Sequence, residues 1–266
     1  MVRRFPLSAL LGGGLVLTLV LAFMLAPLAV VAAASVTAGN FLTFPPQGFS
    51  FRWYADVMAS AGYVRAAWTS LILAAAVTAA AIVIGTAAAI ALHRRALPGS
   101  AALSGLFLSP LILPTIIFGI GLLIFASIHL GGPSFPALWL GHVVVTVPYI
   151  VRTVTAVLAD SDPQIEEAAR TMGAGPLQRL WFVVLPQARP GIIAGGFFAF
   201  NVSFDEAVVA LFLRSPGLET LPMRIYAQLE FAPTPAVAAV STLMILMTIL
   251  LILLIERFLG LRRVAG

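Results

Sequence analysis

Residues 160–190 read DSDPQIEEAARTMGAGPLQRLWFVVLPQARP, a long polar stretch between two apolar runs. Asp162 is a residue type that caps helices, and Pro163 suits the first helical turn. Gly173 is expected to end that helix in a left-handed conformation. The apolar positions in between recur at helical spacing: Ile165, Ala168, Ala169 and Met172. The first part of the stretch therefore predicts a short amphipathic helix with one apolar stripe.

A second short helix is predicted to begin at Gly175-Pro176 and to end at Pro186. Its apolar positions repeat the spacing of the first helix: Leu177, Leu180, Trp181 and Val184. On the first helix, Glu166 and Arg170 are predicted to pair as i, i+4 neighbours. An amphipathic element of this kind can lie in a groove of a partner protein or pack on its own helical bundle, and spacing alone favours neither alternative.

Apolar runs surround this stretch on both sides. Hydrophobic residues make up 61% of the 266 residues and charged residues 9%, whereas a soluble domain is about half apolar and about a quarter charged. Six runs reach the ~20 residues that a helix needs to cross a bilayer. These runs are 7–36, 66–92, 101–128, 137–158, 191–213 and 236–255. We therefore predict an all-α polytopic membrane protein with six transmembrane helices, in one transmembrane domain of residues 1–266.

Prolines and glycines inside these runs predict two local features. Pro110 and Pro114 are expected to kink the third span, because proline removes a helical hydrogen bond. Four glycines are expected to let neighbouring helices approach closely. They are Gly119, Gly121, Gly195 and Gly196.

The arginines indicate which side of the membrane each loop occupies. Eleven of the fifteen lie on one side of a six-span chain: Arg3, Arg4, Arg94, Arg95, Arg152, Arg170, Arg179, Arg189, Arg257, Arg262 and Arg263. The opposite side has Arg52, Arg65, Arg214 and Arg224. By the positive-inside rule, both termini and the loop at about 160–190 are predicted to be cytoplasmic. The first apolar run exceeds the ~7–15 residues of a signal peptide, so we expect it to be retained as a span.

Residue types also bear on the classes of function. The chain contains arginine but no lysine, so it cannot supply the lysine of a Walker A phosphate loop. Its arginines flank apolar runs, which explains the formal charge of +5 without nucleic acid. Cysteine is absent, and the three histidines lack metal-ligand spacing; His129 and His142 are predicted to bracket an external loop. We expect no enzymatic activity, no metal and no cofactor in this chain.

The run EAARTMG at residues 167–173 resembles the EAA motif of bacterial ABC importer permeases. That motif continues after nine residues with Ile-x-Leu-Pro, and this chain has Leu185-Pro186 at the matching positions. Val183 stands where the motif has isoleucine, which is a conservative departure. The position of the run before the penultimate predicted span also matches the family.

This resemblance implies a type I ABC importer permease fold in the bacterial inner membrane. It implies that the loop couples the permease to a separate ATPase subunit, which carries out ATP hydrolysis. The residues that match the family's coupling motif are Glu167, Ala168, Ala169, Gly173, Leu185 and Pro186. It further implies two other partners, which are a second permease subunit in a heterodimer and a periplasmic solute-binding protein.

Two adjacent acidic residues lie within the fifth predicted span. A carboxylate inside the membrane costs at least about 2.5–3.5 kcal/mol at a helix centre, so Asp205 and Glu206 should face a water-filled cavity or a partner charge. Asn201 shares a helical face with Asp205. One hypothesis is that these three residues line a substrate pathway and favour a cationic solute. The alternative is an ion pair with an arginine such as Arg65 or Arg214, or with the partner permease.

A second resemblance concerns residues 201–209, NVSFDEAVV, and 220–226, TLPMRIY. Both are similar to the spermidine/putrescine permeases, which have Asp-Asp where this chain has Asp205-Glu206. The resemblance implies import of polyamines by alternating access, with amino-acid derivatives or phosphonates as alternative solutes. A secondary transporter would explain the acidic pair but would leave the EAA-like loop unexplained.

Overall fold

The computed structural model describes residues 7–94 and 99–259. Within these ranges the chain forms twelve α-helices and no named strand. The helices are α1 (Leu7–Ser35), α2 (Arg52–Ala59), α3 (Ala61–His93), α4 (Ser100–Leu108), α5 (Thr115–His129), α6 (Phe135–Ala159), α7 (Pro163–Thr171), α8 (Pro176–Arg179), α9 (Leu185–Asp205), α10 (Val208–Phe212), α11 (Leu221–Phe231) and α12 (Pro235–Leu259). The predicted all-α fold is confirmed.

Four of the predicted spans coincide with single long helices, namely α1, α3, α6 and α12. Each is long enough to cross a bilayer, and the prolines inside two of them, Pro27 in α1 and Pro148 in α6, do not interrupt the helix. α3 begins at Ala61, which places Arg65 in its first turns rather than in the preceding loop. The exposed apolar side chains of α1 suit a helix surrounded by lipid.

The third predicted span is broken, which is more than the expected kink. α4 continues into a 3₁₀ turn at Ser109–Leu111, and α5 then starts at Thr115 with its axis bent by 99°. Pro114 lacks an N–H group and disfavours helical geometry in the residue before it, and Pro110 lies only four residues earlier, so the two prolines together favour a break here. Among the described residues there are five helices that could each cross a membrane, or six spans if the bent pair is counted as one.

The fifth predicted span also differs from the structure at both ends. The predicted second helix of the polar stretch does not end at Pro186. Instead α8 passes through a π-helical turn, Leu180–Val184, into α9. Pro186 lies in the first turn of α9, and the wider π turn leaves room for its ring. α9 then ends at Asp205, whereas an uninterrupted span to residue 213 was expected.

The chain divides into two compact units. Among the described residues, one unit comprises those up to Ala61 with Ala227–Met247, and there the Ser35 hydroxyl bonds the Tyr54 hydroxyl at 2.7 Å. The other unit comprises the described residues from Gly62 to Tyr226 and from Thr248 to Leu259. The core of this second unit is built around α6, which packs most extensively against α9.

The glycine predictions are confirmed at three of four positions. A Cβ atom on Gly119 would collide with the Phe212 ring, and one on Gly195 would collide with Thr153. A Cβ atom on Gly196 would lie 3.1 Å from Ile82 Cδ1, which is tight. Gly121 has no neighbour within 4 Å of an added Cβ, so the prediction of close approach was wrong there.

Candidate functional site

The start and end of α7 form as the sequence predicts. The Asp162 carboxylate accepts a hydrogen bond from the Gln164 N–H at 2.9 Å and caps the helix. Gly173 has φ +87°, a left-handed conformation that glycine adopts without steric cost. Its N–H donates to the Arg170 carbonyl at 3.0 Å and closes the helix end.

The predicted Glu166–Arg170 pair does not form. Glu166 Oε1 instead accepts from Arg94 Nη2 at 2.5 Å and lies 3.9 Å from Arg179 Nε. Arg170 pairs with Glu167 at 2.9 Å, one turn back on the exposed face. Glu166 therefore ties α7 to the end of α3 and to α8, because its side chain reaches the bundle rather than its own helix. The only sequence signal for this link was the basic cluster after the second span.

The apolar stripe of α7 is not packed on its own bundle. Ile165 is 51% exposed and Met172 is 83% exposed. In the following turns, Leu177 and Trp181 are exposed as well, and Phe182 reaches 78%. The other two apolar positions of the second pattern face inward: Leu180 packs on the core, and Val184 is buried. A cytoplasmic loop thus presents a row of large apolar side chains to its surroundings.

The residues that match the EAA motif lie along this surface. Glu167, Ala168 and Gly173 are exposed, and Ala169 is half-buried. Leu185 and Pro186 begin α9, and α7 packs against the π turn that immediately precedes them. The structure therefore brings the two separated parts of the motif into neighbouring elements.

The acidic pair lies at a helix break. Asp205 is the last residue of α9 and is exposed, and the described residues provide it with neither a hydrogen bond nor an ion pair. Glu206 has an extended backbone, and its Oε1 accepts from the N–H groups of Val208 and Val209 at 2.9 and 3.1 Å. A carboxylate in this position caps α10, which explains why α9 does not continue.

Asn201 lies one turn before Asp205 and uses both ends of its side chain. Its Nδ2 donates to the Phe197 carbonyl at 3.1 Å, and its Oδ1 accepts from the Thr248 hydroxyl of α12 at 3.2 Å. The proposed ion-pair partner Arg214 instead lies 3.6 Å from Glu219.

Comparison with known proteins identifies the class. A family model described as "Binding-protein-dependent transport system inner membrane component" matches residues 81–262. The chain belongs to this family. It is therefore an inner-membrane permease of a binding-protein-dependent transport system, and this membership leaves no support for a secondary transporter.

Two relatives of the permease and one solved structure show how far the similarity extends. It is 32% identical to the putrescine transport system permease protein PotI of Escherichia coli K12, over 86% of this chain and 84% of that protein. It is 30% identical to the spermidine/putrescine transport system permease protein PotC of the same strain, over 93% of each chain. A structure of a bacterial alginate ABC transporter, in complex with an alginate-pentasaccharide-bound periplasmic protein, matches with a TM-score of 0.64 and 15% identity, over 94% of this chain and 92% of that chain. The type I importer permease fold is thereby confirmed.

The histidines of the permease form no metal site in the part of the chain that the structure describes. His129 ends α5 and is exposed, in agreement with its predicted position. His142 does not border the loop but is buried within α6, where its Nδ1 bonds the Ser203 hydroxyl at 3.0 Å. Sequence reasoning missed this α6–α9 link because a lone histidine in an apolar run gives no signal of its partner.

Proposed function

We propose that the permease couples to a separate ATP-hydrolysing subunit through the surface formed by α7 and the π turn. The observation that carries the proposal is the exposure of large apolar side chains there. Exposed apolar side chains such as Met172 and Phe182 favour binding, because the free energy falls when another surface covers them and excludes water. An amphipathic helix commonly binds a partner by laying such side chains into an apolar groove.

The same proposal assigns the chemistry of ATP to the partner. A chain without lysine has no Walker A motif, so hydrolysis would take place on the other subunit. Assembly would require a second permease subunit and an external solute-binding protein. No cofactor is proposed for this chain.

Glu166 supports a route by which motion could reach the bundle. Its ion pairs join α7 to Arg94 at the cytoplasmic end of α3 and to Arg179 of α8. A displacement of α7 by the ATPase would therefore move α3 as well. Alternating access would follow as a shift between inward-open and outward-open arrangements.

The solute proposed for this transporter is a small cation of the polyamine type. Relatives named for putrescine and spermidine share about 30% identity with it. Asp205 supplies an exposed carboxylate at the end of α9, and its negative charge would favour a cation in the pathway. Asn201 and Glu206 would line the same region. Amino-acid derivatives and phosphonates are the alternative solutes, and competition for uptake distinguishes them.

The coupling proposal is tested with Glu167→Arg, which places the opposite charge on the docking surface. The exposed Glu167–Arg170 pair contributes only about 0–1 kcal/mol, so the fold should tolerate the change. Solute-stimulated ATP hydrolysis by the reconstituted transporter is expected to fall about tenfold or more, which corresponds to ~1.4 kcal/mol.

The matched control is Glu230→Arg, which makes the same change at an exposed position of α11. It should leave stimulated hydrolysis and the amount of assembled complex unchanged. Normal stimulation in Glu167→Arg, in a complex that assembles normally, would contradict the proposed docking surface.

A further inference from the structure

A cavity of about 550 Å³ lies where the start of α3 meets the loop between α10 and α11. Its walls belong to one compact unit and include three arginines, Arg65, Arg214 and Arg224. Among its described lining residues there is a single carboxylate, that of Glu219. Cationic groups therefore outnumber anionic groups on its walls.

Two of the arginines share that carboxylate. Arg224 Nη1 lies 2.9 Å from Glu219 Oε2, and Arg214 Nη2 lies 3.6 Å from Glu219 Oε1. The Arg224 side chain is 29% exposed and the Arg214 side chain 52% exposed, so Arg214 lies nearer the opening. One carboxylate cannot neutralise two guanidinium groups, and the pair keeps an excess positive charge.

The guanidinium of Arg224 is held in position by its neighbours. It lies over the Tyr63 ring at 4.8 Å from the ring centroid, a cation–π arrangement. Gly62 leaves the space for it, because a Cβ atom there would collide with the guanidinium. The Nε atom of Arg224 is buried and has no acceptor within the described parts of the chain. This arrangement fixes the guanidinium in advance of any ligand.

The membrane orientation makes this concentration of charge unexpected. Arginine is disfavoured on the external side, where only four of the fifteen arginines are predicted to lie. Three of those four line this one cavity, and the fourth, Arg52, bonds the Gly39 carbonyl at 2.8 Å in the other unit. A single pair with Glu219 would satisfy a purely structural need. Arg214, the second guanidinium at this one carboxylate, points to an anionic ligand that arrives from outside.

We propose that this cavity receives an acidic side chain of the external solute-binding protein, an inference that rests on the proposed role of that protein as a partner. Carboxylates, like phosphates, accept paired hydrogen bonds from guanidinium, and a carboxylate is the anionic group that a protein side chain supplies. The cavity does not suit the proposed cationic solute, which its charge would repel. Residues 215–217, which form part of its wall, carry no long side chain against which a lipid acyl chain would pack.

Arg214→Glu tests the proposal, with Arg52→Glu as the matched control. The purified binding protein that supports uptake through this permease is titrated onto the assembled transporter in phosphatidylcholine nanodiscs. We expect the Kd to rise about tenfold or more for Arg214→Glu, because the reversed charge would repel the incoming carboxylate. The Kd should stay within about twofold of the unmodified value for Arg52→Glu, because Arg52 does not line the cavity. High salt should weaken binding to the unmodified transporter and narrow the difference.

Arg214→Gln and thermal unfolding show whether any loss reflects misfolding; a folded Arg214→Gln transporter should also bind more weakly. A reversal of one acidic residue of the binding protein to arginine should restore binding to Arg214→Glu.

Unchanged Kd values in folded variants would overturn the proposal. An effect that appears only in nanodiscs containing phosphatidylglycerol would overturn it too, because that result would indicate a lipid headgroup as the ligand. An assembled, ATP-hydrolysing transporter with an unchanged Kd would overturn this proposal alone, whereas failure to assemble with an ATPase would overturn the proposed function.

Discussion

Asp205 and Glu206 are adjacent in the sequence, yet their carboxylates have different surroundings. Glu206 caps α10 through two backbone N–H groups, so part of its charge is used within the chain. Asp205 is exposed, and within the described residues it has no such donor. Of the two, Asp205 is therefore the carboxylate that can interact with a solute or with the partner permease.

Asp205→Asn is expected to lower uptake and to leave the folded protein unchanged. The amide keeps the shape and the hydrogen-bonding capacity but removes the charge that offsets the lost hydration of a cation. The rate of labelled putrescine uptake into proteoliposomes should fall about tenfold, which corresponds to a rise of ~1.4 kcal/mol in the activation free energy. Asp160→Asn serves as the control, because it makes the same chemical change at an exposed position after α6, outside the proposed pathway.

Thermal unfolding of the same variants separates the two hypotheses for Asp205. Removal of one member of a buried ion pair costs about 3–5 kcal/mol because it strands the other charge. A clear drop in thermal stability of the assembled Asp205→Asn transporter would therefore favour an ion pair with the partner permease. Full activity at normal stability would contradict both hypotheses.

At the scale of elements, the interface between α6 and α9 depends on glycine. A Cβ atom on Gly191 would lie 2.8 Å from the Thr153 carbonyl oxygen and 2.9 Å from Val154 Cα. Both neighbours are backbone atoms, which cannot move without a shift of the whole helix. The Thr153 hydroxyl also donates to the Gly191 carbonyl at 2.9 Å. Close approach and an interhelical hydrogen bond therefore reinforce each other, as is common between membrane helices.

Gly191→Ala is expected to destabilise the protein by about 1–3 kcal/mol, the usual cost of an overpacked interior. The measurement is thermal unfolding of the purified protein in detergent, together with its abundance in the membrane. Gly121→Ala makes the same chemical change on α5, where an added Cβ has open space. It should be neutral or stabilising by up to about 1 kcal/mol. Equal stabilities of the two variants would argue against close packing at Gly191.

At the scale of the whole molecule, the arginine distribution predicts the orientation in the membrane. Five of the arginines that support it, Arg3, Arg4, Arg95, Arg262 and Arg263, lie outside the described residues. The remaining cytoplasmic arginines include Arg94 and Arg179, which both lie close to the Glu166 carboxylate of α7. The predicted external arginines Arg65, Arg214 and Arg224 do not lie at this cytoplasmic cluster but line the cavity at the start of α3.

Thiol labelling can test this orientation directly, because the chain has no native cysteine. A membrane-impermeant maleimide should label Ala59→Cys in intact spheroplasts, since that exposed residue lies on the predicted external side. Gln164→Cys, exposed on α7, should be labelled only after lysis. Labelling of Gln164→Cys in intact spheroplasts would contradict the proposed cytoplasmic docking surface.

Local patterns were sufficient to predict much of the architecture. Four long spans follow from hydropathy, because an apolar helix of ~20 residues is stable in lipid whatever it packs against. The ends of α7 at Asp162 and Gly173 follow from capping chemistry, which involves only residues a few positions apart. The EAA-like run also located the exposed cytoplasmic surface, because most of its residues lie on one short helix and so depend only on near neighbours in the sequence.

Tertiary structure decided the features that depend on residues distant in the chain. Glu166 could pair with Arg170 by helical spacing, but it pairs with Arg94 because packing brings the end of α3 beside α7. The break after Asp205 arises because the Glu206 carboxylate accepts hydrogen bonds from the first N–H groups of α10. Hydropathy does not predict such a cap. Residues 65, 214 and 224 share one cavity only because α3 and α11 meet there. Sequence periodicity describes one helix at a time, whereas these contacts depend on how the helices pack together.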